Sequence, residues 1–103
     1  MEKIMKLAAL MREAKALIDE IESEEEETGI SVLEVKASYN NDCPEIHFYK
    51  GLPKATNYIP ATRYLVECET GDYWKDETIM NGVKVFEIDA ARKEAAINAS
   101  MAV

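Results

Sequence analysis

Cys43, Glu45 and His47 recur at every second position, so they would share one side of a strand that continued back through Pro44. With Cys68 they would offer zinc a Cys/His/Cys set, or set a thiol beside an imidazole base. The spacing matches no finger or ribbon pattern, no fourth ligand is evident, and no third group orients the base. A strand histidine and two free thiols are therefore expected, with no metal, no cofactor and no disulfide framework. Gly29, Gly51, Gly71 and Gly82 are isolated and make no phosphate-binding loop. In so acidic a chain, paired carboxylates carry little information. With no nucleophile–base or metal constellation, an enzyme is not expected.

Two other sets could bind. Asp19, Glu20, Glu22, Glu24, Glu25, Glu26 and Glu27 crowd seven acids into nine positions with no base among them. They read as a docking patch for a basic partner protein, or as a solvated helix end. The second set is cationic and aromatic: Tyr49, Lys50, Lys54, Arg63, Tyr73 and Trp74. It would suit a small anionic, nucleotide-like ligand, with a base or ring stacked on the aromatics. The competing expectation for Trp74, the only tryptophan, is burial beneath the N-terminal helix.

The elements that must position these residues follow from periodicity. Ile4, Leu7, Met11, Ala14, Ile18 and Ile21 alternate three and four apart, which predicts an amphipathic helix over 2–27 that stops at Gly29. Lys3, Lys6, Arg12 and Lys15 occupy its first half and the acidic run its second. Ala8, Leu10 and Leu17 widen the stripe beyond a two-stranded seam, so this helix is expected to lie on a sheet and also to self-associate. A homo-oligomer is expected, a dimer being favoured, and paired helices should run antiparallel so that the basic half meets the acidic half.

From residue 30 the pattern changes to strands. Alternation predicts strands over 31–39, 45–50, 63–69, 73–80 and 83–88. Asn40 to Pro44 should turn the chain, Pro53 should open a short helix over 53–58, and Asn81-Gly82 should form a type I′ hairpin. Asp89 could cap a closing helix, 90–101. The expected architecture is α+β in one domain, 1–103: a helix over 2–27, an antiparallel sheet of about five strands over 30–88, and a short C-terminal helix within 89–101.

Composition sets limits on partners. The net charge is −8, and outside the acidic run the chain is close to neutral. A basic stripe for nucleic acid is lacking, so direct nucleic-acid binding is not expected. No apolar run approaches the roughly 20 residues of a membrane span, and the first residues do not read as a signal peptide. A cytoplasmic location is expected.

The runs Ile46-His47-Phe48-Tyr49-Lys50-Gly51-Leu52 and Asn81-Gly82-Val83-Lys84-Val85-Phe86-Glu87-Ile88 resemble small uncharacterised accessory proteins of phages and prophages. The resemblance covers about half the chain and departs where Pro53 and Pro60 interrupt the helix usual there. It implies a protein of the host cytoplasm that binds a host protein, for instance to inhibit a defence or nucleic-acid enzyme. A sponge for a nucleotide-like signal is the alternative. It carries over no functional residues.

Overall fold

A computed structural model describes residues 1–37 and 43–89. The chain runs α1 (Glu2–Ser23), α2 (Glu25–Thr28), β1 (Ser31–Lys36), β2 (Glu45–Lys50), α3 (Leu52–Ala55), β3 (Thr62–Val66), β4 (Tyr73–Met80) and β5 (Val83–Asp89). This is an α+β fold, with the N-terminal helix beside one five-stranded sheet of order β1-β2-β5-β4-β3.

The sheet is mixed, which corrects the all-antiparallel expectation. β2 and β5 pair in parallel, Ile46 with Val85 and His47 with Phe86. The cause lies in the connection through α3. It carries the chain to the far edge, where β3 starts, and the β3–β4–β5 meander returns until β5 reaches β2. The Asn81-Gly82 turn is as expected. Both residues have positive φ, 52° and 77°, the pair a type I′ hairpin requires.

Other boundaries differ from the sequence reading: β1 ends at Lys36, with Ala37 outside the strand expected over 31–39, and β3 spans Thr62–Val66 rather than the expected 63–69. The single helix over 2–27 breaks at Glu24, whose φ and ψ are −100° and 5°, and resumes as the one-turn α2. Consecutive carboxylates at the negative end of the helix dipole favour such a break. The short helix spans 52–55, and Asn57 and Tyr58 then take left-handed φ. β5 runs to Asp89, opposite Trp74, one residue past the expected strand 83–88. The proposed 90–101 helix and the turn residues 40–42 lie outside the described residues.

Phe48, Leu52 and Val85 form the buried centre, with Ile30, Val32, Ile46, Ala55, Met80 and Val83 packed around them. Strand partners share a face, so Val35, Ile46, Val85, Val83 and Met80 make one apolar region. The regular alternation expected for β1 fails at two register shifts. Leu33 and Tyr49 fall at these shifts and stand out, 60% and 65% exposed.

Gly29 and Gly51 bring two turns together. Gly51 has φ 86°, and a Cβ there would lie 2.5 Å from the Gly29 carbonyl oxygen. Gly29, at φ 72°, ends α2 by donating its N–H to the Glu25 carbonyl.

Candidate functional site: the helix, its acidic end and the groove beneath it

α1 meets the sheet at β1. Every residue from Met1 to Glu13 is exposed, and no residue of α1 is buried. Its second half overhangs the apolar face without closing on it. A groove of about 420 Å³ remains, walled by Ile18 and Ile21 of the helix and by Val32, Ile46, Phe48 and Met80 of the sheet. Of the expected self-association residues, Ala14, Ile18 and Ile21 face this groove, while Ile4, Leu7 and Met11 stand 51–65% exposed beyond it.

The acidic run divides into residues with work inside the chain and residues without. Glu22 accepts hydrogen bonds from the Ser31 hydroxyl at 3.0 and 3.1 Å and from the Val32 N–H at 2.9 Å. It ties α1 to the start of β1. Asp19 pairs with Lys15 one turn earlier. Glu25 pairs with Lys50 at 2.8 Å, and this hydrogen-bonded contact raises the Lys50 pKa. Among the described residues, the side chains of Glu20, Glu24, Glu26 and Glu27 make no hydrogen bond or ion pair.

The cationic and aromatic set is not gathered into one site. Lys50 is held by Glu25, and Lys54 donates to the Thr28 carbonyl at 3.3 Å, a cation at the C-terminal end of α2. Arg63 lies on β3, with β5 and β4 between it and Lys50. Its guanidinium grips Asp76 with two bonds of 2.7 and 2.6 Å and reaches Asp89 at 3.9 Å. The Asp76 hydrogen bond holds the Arg63 pKa above its ordinary value. A cleft of about 300 Å³ beside it also contains Glu87, so its field repels an anion. Tyr73 and Trp74 are successive on β4 and point to opposite faces. Trp74 pairs with Leu65 and Asp89, three strands from β1, and is not beneath the helix.

His47 and the thiols are also apart. His47 stacks on Phe86 at 4.5 Å on the face away from the groove, and Lys75 lies 4.2 Å over the same ring. Burial, then Lys75, lowers the His47 pKa against the pull of Glu34 and Glu45, so the imidazole is neutral at pH 7. Cys68 follows β3 on the far edge of the sheet. No group of three His, Cys, Asp or Glu among the described residues could hold a metal ion.

On that same face the Tyr64 hydroxyl donates to Glu77, which Lys84 approaches at 3.3 Å. Burial and the Glu77 bond push the Tyr64 pKa up to about 12. Burial alone would raise Glu77, but the bonds from Tyr64 and Lys84 outweigh it and leave its pKa lowered.

Sequence reasoning missed the groove, because its walls come from β1, β2 and the end of β4. The width of the apolar stripe on α1, with Leu17 lining the groove, was the available signal. No helix among the described residues is long and apolar enough to cross a membrane. Comparison of the chain with family models, with curated proteins and with solved structures finds no match.

Proposed function

We propose that this chain is a non-catalytic interaction protein that engages a basic surface on another protein through the acidic end of α1 and α2. The supporting observation is that Glu20, Glu24, Glu26 and Glu27 are exposed and have no ion-pair partner among the described residues. A carboxylate cluster left unneutralised at the sheet-anchored end of the helix raises the local concentration of a basic partner and steers its approach. If the phage-type resemblance holds, the partner is a host protein, and blocking its nucleic-acid surface is the specific form of the activity.

Capture from a bacterial host lysate tests this reading. Wild type should retain a stoichiometric partner that about 0.5 M salt releases, because exposed charges are screened over roughly 8 Å already at physiological strength. The Glu26→Lys/Glu27→Lys variant should retain none. A partner held equally by that variant, or held through high salt, would remove the acidic end from the reading. The alternative of an anion sponge is weaker, since Lys50, Lys54 and Arg63 each already have an acceptor. It would return if nucleotides changed Trp74 fluorescence.

A further inference from the structure

We propose that the groove beside α1 receives the first half of α1 from a second copy of this chain, the two helices running antiparallel about a two-fold axis near Arg12 and Glu13. The geometry of the seam permits it. Intervals of three and four read the same from either end, so rotation sets Ile4 level with Ile21, Leu7 with Ile18, and Met11 with Ala14. The groove walls already contain the second member of each pair. Packed helices lie 8–10 Å apart and strands about 4.8 Å apart, so a helix beside α1, which sits at β1, falls over β2 and β5. There it would cover Ile46, Phe48 and Met80.

Charge selects the direction. One flank of α1 is satisfied within the chain, through Lys15 with Asp19 and Glu22 with β1. The other flank carries Lys3, Lys6, Glu20 and Glu24, none of which has an ion pair among the described residues. Antiparallel pairing brings Lys3 to Glu24 and Lys6 to Glu20 of the second copy, twice over by symmetry. A parallel pair would set like against like. Glu26 and Glu27 stay outside these pairs, so the dimer keeps an acidic tip at each end.

Ile4, Leu7 and Met11, which are 65%, 51% and 65% exposed, are the apolar side chains that such a contact would cover.

Light scattering across a concentration series tests the proposal. Wild type should weigh twice 11.6 kDa at tens of micromolar. Lys3→Glu/Lys6→Glu and Glu20→Lys/Glu24→Lys should each weaken the dimer at least tenfold, and an equimolar mixture of the two should restore it. All four positions are exposed, so both variants should still fold, with any loss of circular dichroism confined to the helical signal of the first turns of α1. In a Cys43→Ser/Cys68→Ser background, Ile4→Cys mixed with Ile21→Cys should give a mixed disulfide that neither gives alone. A monomeric wild type, an unrescued mixture, or Ile4→Cys crosslinking to itself would overturn the proposal. Loss of the basic partner alone, with the dimer intact, would bear on the acidic tip and leave this inference standing.

Discussion

Glu22 and Tyr64 show how one side chain can leave a general role for a specific one. The Glu22 carboxylate satisfies both the buried Ser31 hydroxyl and the Val32 N–H at the irregular start of β1. Glu22→Ala would strand both donors, and a stranded buried polar group costs about 1–3 kcal/mol. Urea unfolding should show that loss, while Glu26→Ala, with no such bond, should be close to neutral. Tyr64 makes a pH prediction. Its pKa rises from 10.0 to about 12 in the fold, so the un-ionised ring is favoured there. Its contribution is complete below pH 10 and is lost as pH climbs through about 12. Tyrosinate absorbance at 295 nm should show a phenol titrating near 12 that Tyr64→Phe removes. Neither role was legible in the sequence. Glu22 is one of seven neighbouring acids, and its partners lie nine and ten residues later across a turn.

At the scale of elements, local chemistry was legible and long-range pairing was not. β2, β4 and β5, the Asn81-Gly82 hairpin and the stop at Gly29 follow from residue alternation and backbone preference, whereas β3 ends at Val66, short of the expected 69. The parallel β2–β5 pair does not, because order along the chain leaves open the edge on which β3 begins. Nor did periodicity reveal that Lys50 and Lys54, read as anion ligands, hold Glu25 and the Thr28 carbonyl of α2. These contacts meet where Gly29 and Gly51 let two turns touch. Gly51→Ala would place a methyl 2.5 Å from the Gly29 carbonyl oxygen and 2.8 Å from the Ile30 Cα. The left-handed backbone alone costs a non-glycine residue about 1–3 kcal/mol, and the clash is with main chain that cannot simply rotate away. Gly82→Ala is the control, with a similar φ of 77° and nothing within 4 Å of the added methyl. Chemical unfolding should rank Gly51→Ala as clearly the more damaging of the two.

Across the whole molecule, stability is unevenly distributed. The sheet has its own buried centre, whereas residues 1–13 have none. Helices of about 12–15 residues are marginal in water unless an apolar face is covered. In an isolated copy, therefore, the first three turns of α1 rest on helix propensity alone. A second copy that covers Ile4, Leu7 and Met11 would stabilise those turns by mass action, and the gain would grow with concentration. Hydrogen exchange separates the two sources of order. Amides of residues 5–13 should be protected at high protein concentration and lose protection on dilution below the dimer dissociation constant. Amides of β4 and β5, whose ladder lies within one chain, should keep theirs. The Lys3→Glu/Lys6→Glu variant should show the diluted pattern at every concentration short of its own weaker association. Protection of 5–13 that ignores concentration would mean that the helix is covered within one chain, and the surface it leaves open here would then have another owner.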